Sequence, residues 1–288
     1  MTQLTEARTA GSFGTLVDVV ASGRVLILSG AGLSTESGIP DYRGPTGLAR
    51  RVSGPAPMTY QAFTGSAAAR RRYWARSYLG WRHVARAVPN DGHRAVAELS
   101  RRGRLTGIIT QNVDGLHQAA GAYTVTELHG SLHRVICLSC GQRTERGELD
   151  RRLEAANPGW GARRAAGLNP DGDAILDDEA TESFTVVDCA ACHGVLKPDV
   201  VFFGENVPRP RAHACYSMVE ASRALLVLGS SLTVMSGLRY VRHAARLGRP
   251  VVIVNQGATR GDSCATATVD APLGRTLTAL VASLGARG

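Results

Sequence analysis

The feature that most constrains this chain is a glycine-rich turn set directly after an apolar run. Val25-Leu26-Ile27-Leu28 is what a strand buried on both faces shows. It feeds Gly30-Ala31-Gly32-Leu33-Ser34-Thr35-Glu36-Ser37-Gly38-Ile39-Pro40-Asp41-Tyr42-Arg43-Gly44. A strand entering such a turn, followed by a helix start, is a phosphate-binding arrangement. Glycines let the backbone approach a diphosphate, and free N–H groups point at it. The hydride-transfer fingerprint needs its third glycine three residues after the second, and Gly38 comes later than that after Gly32. The turn therefore reads as dinucleotide binding without ordinary dehydrogenase wiring. A plain strand-to-helix turn with no ligand is the alternative, but such a turn requires none of Ser34, Thr35, Asp41 and Arg43.

Further strands follow the same pattern of an apolar run opening into a polar loop. Leu105–Thr110 runs into Gln111-Asn112-Val113-Asp114-Gly115-Leu116-His117. Val125–Leu128 ends at His129-Gly130, Ala224–Leu228 at Gly229-Ser230-Ser231, and Val251–Val254 at Asn255-Gln256-Gly257. Helical spacings lie between them, over residues 58–88 in two or three helices and over His93–Arg102, where Gly103 supplies the stop. This predicts a doubly wound α/β fold with a parallel sheet. In such sheets ligands sit at the carboxyl ends of the strands, where all five polar clusters fall.

The 288 residues allow one large α/β domain with a smaller one inserted. No segment approaches the ~20 apolar residues of a spanning helix. Met1–Ser12 lacks an apolar signal core and is poor in arginine, so a cytoplasmic protein is expected. The net charge of +9 raises the question of nucleic acid, but lysine occurs once, at Lys197, among 33 basic residues. That skew reads as a coding bias toward arginine, spread over a solvated surface, and it argues against nucleic-acid binding as the main function.

Cys137-x-x-Cys140 and Cys189-x-x-Cys192 are two thiolate pairs. Each resembles a zinc knuckle, and four cysteines leave no coordination position for water, so the implied zinc is structural. Disulfides conflict with the expected compartment, and a redox Cys-x-x-Cys explains one pair but not both. The stretch from Gly141 to Asp188 exceeds a usual ribbon spacing, so an insertion has to fold outward. Cys215 and Cys264 lack a partner motif and read as plain thiols.

With these residues in order, the chain resembles the sirtuin (Sir2) family of NAD-dependent protein-lysine deacylases. The matching segments are Gly30–Arg43, Thr110–His117, Glu127-Leu128-His129-Gly130, the two cysteine pairs, Lys197-Pro198-Asp199-Val200-Val201-Phe202-Phe203-Gly204-Glu205 and Gly229-Ser230-Ser231-Leu232. Arg72-Tyr73-Trp74-Ala75-Arg76 and the long stretch between the cysteine pairs resemble the class II branch, which includes the mitochondrial sirtuin with lipoamidase activity. The resemblance implies a Rossmann-like doubly wound parallel sheet with a smaller domain made of a zinc-binding module and a helical module. The boundaries it suggests are residues 1–43, 101–130 and 200–288 for the NAD-binding domain, 44–100 for the helical module and 131–199 for the zinc-binding module.

The resemblance also implies roles. Gly30, Ala31, Gly32 and Ser34 would hold the diphosphate of NAD. Asp41, Tyr42 and Arg43 would belong to the loop over the ribose and nicotinamide. Gln111, Asn112 and Asp114 would form the nicotinamide-ribose pocket, with Asn112 counted as catalytic. Gly229, Ser230, Ser231, Asn255, Gln256, Gly257 and Leu273 would serve the adenosine half. His129 would be the general base, its imidazole titrating near neutrality. An acyl oxygen would attack the ribose as nicotinamide leaves, and a ribose hydroxyl deprotonated by His129 would complete transfer of the acyl group to ADP-ribose. His117 is expected to be structural.

The acyl-lysine protein or peptide is expected to bind as an added strand along Val201, Phe202, Phe203 and Gly204 and against Leu232. Tyr73 and Arg76, three apart on a helix, are candidates for reading a carboxylate on the acyl group. The plainer reading of that pair, a packed tyrosine beside a solvated arginine, is favoured. Mono-ADP-ribosyl transfer and a non-catalytic NAD sensor are the alternative functions. Asn112 and His129 argue against the sensor. The acyl group, the protein targets and the oligomeric state are not legible in the sequence.

Overall fold

The computed structural model describes residues 2–42, 57–163, 165, 167–169 and 171–286, with the side chains described from residue 12 onward. In chain order the elements are α1 (Thr2–Ala21), β1 (Val25–Ser29), α2 (Tyr60–Gly65), α3 (Ala67–Val84), α4 (Asp91–Arg101), β2 (Leu105–Thr110), α5 (Leu116–Ala119), β3 (Val125–Glu127), β4 (Gly130–Cys137), β5 (Arg143–Glu145) and α6 (Arg146–Ala156). They continue with β6 (Leu196–Val200), α7 (Arg209–Ala221), β7 (Ala224–Leu228), α8 (Met235–Arg246), β8 (Val251–Val254), β9 (Ala267–Val269) and α9 (Leu273–Gly285).

The strands form two sheets. The larger is six-stranded in the order β3-β2-β1-β7-β8-β9, and every pairing in it is parallel. Numbered within this sheet alone, that order is 3-2-1-4-5-6, the dinucleotide-binding arrangement, with its switch point between β1 and β7. The sequence explains why the sheet is covered on both sides. Val25 and Ile27 join Leu226, Leu228, Val252 and Val254 in a core shared with α1, α4 and α9. Leu26 and Leu28 join Leu225, Val227, Val251 and Ile253 in a core shared with α7 and α8. Side chains of a strand alternate between faces, so unbroken apolar runs were required.

The smaller sheet is antiparallel, in the order β5-β4-β6. Its core unites Phe63, Tyr73, Trp74 and Tyr78 of α2 and α3 with Val135, Leu149, Leu153, Leu196 and Phe202. Val200 and Phe202, on the larger-domain side of the expected boundary, thus pack with the smaller body. Ser66 caps α3 by accepting from the Ala69 N–H at 3.2 Å, and Asn90 caps α4 by accepting from the His93 N–H at 3.1 Å.

Two details differ from the sequence expectation. The helix start expected inside the glycine turn is a pair of 3₁₀ turns, Ala31–Leu33 and Thr35–Ser37. Gly38 at φ +82° ends the second, which reverses the chain before a longer helix can form. The insertion between the cysteine pairs opens with β5 and α6, and its middle, Asn157–Asp188, is mostly loop, as read, but instead of folding outward it turns in: Leu168 and Ala174 pair as an antiparallel bridge, making a small hairpin. Among the described residues no helix is long and apolar enough to cross a membrane.

Candidate functional site

The carboxyl ends of β1, β2, β7 and β8 open onto one cleft, a cavity of about 650 Å³ that reaches into the smaller body. Its floor is the glycine turn against the turn after β7. The Gly30 N–H donates to the Leu228 carbonyl at 2.9 Å and the Gly32 N–H to the Gly229 carbonyl at 2.9 Å. A Cβ on Gly32 would stand 2.9 Å from that same carbonyl oxygen, so glycine is what lets the two turns pack this closely. Gly30, Ala31, Gly32, Ser34, Asp41, Tyr42, Gln111, Asn112, Asp114, Gly229, Ser230, Ser231, Asn255, Gln256 and Leu273 all line the cleft. Gly257 does not; its N–H is held by Asp270 at 3.1 Å, at the rim behind Asn255. Arg43 lies outside the described residues.

A polar network joins the turn to the loop after β2. The Ser34 hydroxyl donates to Asp114 Oδ2 at 2.6 Å, and the Asn112 amide donates to Ser34 Oγ at 2.9 Å and to the Gly30 carbonyl at 3.1 Å. Burial pushes the Asp114 carboxyl up from its ordinary value, against the opposing bonds from Ser34 and the Leu116 N–H. This is a cradle of small residues edged by hydroxyl, amide and carboxyl groups, and its chemistry fits a dinucleotide whose ribose hydroxyls need partners.

His129 sits where the two bodies meet, between the end of β3 and the start of β4. Its backbone carbonyl accepts from the Val201 N–H at 2.7 Å, and Gly130 follows at φ +83°, where a Cβ would meet the Asp199 carbonyl at 1.9 Å. The imidazole faces the cleft. Its Nδ1 is 3.0 Å from the Gln111 carbonyl, which can only accept, so Nδ1 carries the proton. Nε2 is therefore an acceptor, and it meets Ser236 Oγ at 2.8 Å. Burial, aided by the Arg211 and Arg239 guanidinium groups, brings the pKa of His129 down to about 4, below the near-neutral titration expected from the sequence. The ring is neutral at physiological pH, with a lone pair turned into the cleft. His117, by contrast, is in the core: its Nε2 is 2.8 Å from Ser29 Oγ and its ring packs 5.2 Å from that of His93.

The far wall is built by Val201, Phe202, Phe203, Gly204 and Glu205. Lys197 secures this segment from beneath. Its Nζ contacts the Val200 carbonyl and Glu205 Oε2, the latter at 3.1 Å, while Glu205 Oε2 also accepts from the Phe202 N–H at 2.9 Å. Opposite lie Leu232, Thr233, Val234 and Ser236. Leu232 is buried at φ +54°, a left-handed conformation that a leucine adopts at a cost of about 1–2 kcal/mol. Backbone strain is thus stored beside the cleft.

The inner end of the cleft contains Ile39, Tyr73, Val84, Leu132, Asp171 and Gly172. Tyr73 packs edge-on against Phe202 with ring centres 5.2 Å apart. Arg76 does not join it there: its Nη2 donates to the Leu176 carbonyl at 2.8 Å and to Asp178 Oδ1 at 2.7 Å. Its guanidinium serves the insertion, and it is not among the residues that line the cleft. The geometry goes against a Tyr73–Arg76 carboxylate reader. The hairpin of the insertion, with Asp171 and Gly172 at its tip, was missed in the sequence. A run of Asn169-Pro170-Asp171-Gly172 signals a turn but not that the turn is buried. Ser236 was missed as well, since a serine near a helix start reads as ordinary.

The four cysteines come together: Cys137 Sγ is 3.5 Å from Cys192 Sγ and Cys140 Sγ is 3.9 Å from Cys189 Sγ, and all four sulfurs lie within 4.8 Å of one another. Four thiolates at ~2.3 Å from one zinc ion stand about 3.8 Å apart, so the cluster fits a tetrahedral structural zinc.

Comparison with known proteins agrees with this geometry. The family model described as "Sir2 family" matches residues 30–236. The NAD-dependent protein deacetylase 1 of Streptomyces coelicolor A3(2) is 62% identical over 272 residues, covering 94% of this chain and 90% of that protein. The NAD-dependent protein deacetylase 1 of Mycobacterium avium is 54% identical, covering 88% and 89%. Among solved structures, a Sir2 complex with a p53 peptide and NAD+ superposes with a TM-score of 0.74 at 28% identity, over 94% of this chain and 98% of the other.

Proposed function

This chain belongs to the Sir2 family, and on that premise we propose that it is an NAD-dependent protein-lysine deacylase whose basic activity is deacetylation. The observation that carries the reading is the neutral imidazole of His129, its Nε2 turned into a cleft between the glycine turn and the Val201–Gly204 segment. Bound NAD supplies an activated glycosidic bond and, in ADP-ribose, an acceptor for the acyl group.

The chain's own residues do the rest. Gly30, Ala31, Gly32 and Ser34 form the wall on the diphosphate side, where the bonds of the Gly30 and Gly32 N–H groups to the Leu228 and Gly229 carbonyls fix the turn and its small residues leave room for the phosphates. Asn112 and Asp114 orient the ribose from the loop after β2. His129 Nε2 takes a proton from a hydroxyl brought beside it, while Nδ1–H stays on the Gln111 carbonyl and fixes the tautomer. The peptide lies as an added strand between Val201–Gly204 and Ser231–Val234, where main-chain pairing gives affinity without demanding a sequence. Cys137, Cys140, Cys189 and Cys192 hold a structural zinc.

For the acyl group the walls favour a neutral chain. Ile39, Tyr73, Val84 and Leu132 are mostly apolar, and the one cation formerly a candidate, Arg76, is bound elsewhere. Acetyl and longer neutral acyl groups, lipoyl included, suit this lining better than succinyl or glutaryl.

The test is a panel of acetyl-, propionyl-, lipoyl- and glutaryl-lysine peptides with NAD, read by mass spectrometry. Acyl-ADP-ribose and free lysine are expected from the neutral members, and none from His129→Ala. Stable ADP-ribosyl label on protein with no acyl-ADP-ribose would instead establish transfer to protein. Binding of NAD with no turnover on any peptide would sink the enzymatic reading.

A further inference from the structure

His129 is gripped at both ring nitrogens by elements far apart in sequence. The Gln111 carbonyl holds Nδ1 from the loop after β2, and Ser236 Oγ meets Nε2 from the first turn of α8. The approach of α8 is itself specific. A Cβ on Gly237 would stand 2.6 Å from Gln111 Oε1, so any larger residue there would displace the side chain of the residue whose carbonyl holds the other side of the ring. The Ser236 side chain does not cap α8, whose N-cap position is Val234. Its hydroxyl has another engagement, and that engagement is the imidazole.

We propose that Ser236 is a positioning residue for His129: its hydroxyl donates to the Nε2 lone pair, fixing the ring plane toward the cleft until a substrate hydroxyl takes its place. This rests on the reading of His129 as the base. The physical basis is the count of acceptors. With Nδ1–H committed to a carbonyl, the ring has one lone pair, and an O–H donor is what that lone pair meets. A ring tethered at one nitrogen only would rotate about its outer bonds and lose the geometry that proton transfer needs. Donation to the neutral ring also opposes protonation, because a hydrogen bond to the uncharged form stabilises that form. The charged groups around the ring are Arg211 on α7 and Arg239 on α8, with Glu205 on the facing segment of the cleft. None of them supplies a second donor to Nε2.

The experiment compares the full-length enzyme with Ser236→Ala, Ser236→Thr and His129→Ala on an acetyl-lysine peptide with saturating NAD, across pH 3.5 to 9, so that a limb near 4 falls inside the range. For Ser236→Ala the expected result is a kcat lower by about three- to ten-fold, KM values changed less than kcat, and the acidic limb of the pH–rate profile moved upward. Ser236→Thr, which keeps the hydroxyl, is expected to restore the limb. A Ser236→Ala enzyme with an unmoved limb and unchanged kcat overturns the proposal. So does a loss of activity that is uniform with pH and accompanied by a lower melting temperature, the mark of a merely structural serine. The two readings separate cleanly: if His129→Ala retains deacetylation, the base assignment itself fails, whereas an inactive His129→Ala beside an unaltered Ser236→Ala sinks only the positioning role.

Discussion

The Ser34 hydroxyl donates to Asp114 Oδ2 at 2.6 Å, tying the glycine turn after β1 to the loop after β2 across the opening of the sheet. Asp114 Oδ1 at the same time accepts the Leu116 N–H, the first of α5, at 2.9 Å. Ser34→Ala should leave the fold within about 1 kcal/mol of wild type while weakening NAD binding by roughly ten-fold. Asp114→Ala should cost more stability, about 1–3 kcal/mol, because buried donors lose their partner. Calorimetric titration with NAD and thermal melting check the two. An unchanged affinity in Ser34→Ala would remove the turn-to-loop link from the binding account.

The acyl end of the cleft depends on one glycine in a helix. A Cβ on Gly80 of α3 would stand 1.9 Å from the Gly172 carbonyl and 2.7 Å from the Ala174 nitrogen. Gly80→Ala should therefore push out the hairpin and destabilise the protein by about 1–3 kcal/mol, although alanine is the better helix former. The melting temperature should fall, and the ratio of lipoyl to acetyl turnover should shift. A Gly80→Ala enzyme as stable as wild type would mean the hairpin is not seated against α3.

Arg76 is committed to Leu176 and Asp178. Arg76→Ala should lower turnover of acetyl-, lipoyl- and glutaryl-lysine peptides by similar factors, through loosening of the insertion. A selective loss on the glutaryl peptide would reinstate the carboxylate reader.

Four cysteine sulfurs within 4.8 Å of one another predict one zinc per chain. Metal analysis of the purified protein should return that stoichiometry, and Cys189→Ser should lower it and the melting temperature together, since site formation and folding are linked. Full stability after prolonged chelation, with zinc verified absent, would contradict a structural role.

The pH dependence of stability follows from three buried rings, His129 at about 4 and two in the core. The pKa of His93 is brought down to about 4 and that of His117 to about 3, in both cases by burial, against an ordinary value of 6.5. His93 Nε2 and His117 Nδ1 have no hydrogen-bond partner, so neither ring gains a contact on protonation. Depressed values mean that the unfolded chain binds protons first. Stability is fully present above pH 6.5 and is lost as pH falls toward 4, by up to about 1.4 kcal/mol per pH unit for each ring. Urea melts at pH 7.5, 6 and 5 should show the decline, and His117→Phe should make it shallower without abolishing it, since His93 and His129 remain. A pH-independent midpoint over that range would contradict the assignment.

Much of the fold was legible because its signals are local. The all-apolar runs at Val25–Leu28 and Ala224–Leu228 stated that both faces of their strands are covered, and the glycines after them stated where the backbone must come close to something. The cysteine pairs carried their own chemistry. The least readable stretch was Asn157–Asp188, where a turn motif is visible but its burial is not.

The sequence by itself determined the parallel sheet, the glycine turn after β1, the two cysteine pairs and the presence of His129 at a strand end, because each of these signals lies within a few positions of the chain. Only the tertiary structure decided that Arg76 answers Asp178, 102 residues away, and that Ser236 answers His129 across 107 residues. Such partners are chosen by how closely helices and loops pack, and that closeness turns on an absent side chain, as at Gly80, whose effect no local pattern reveals.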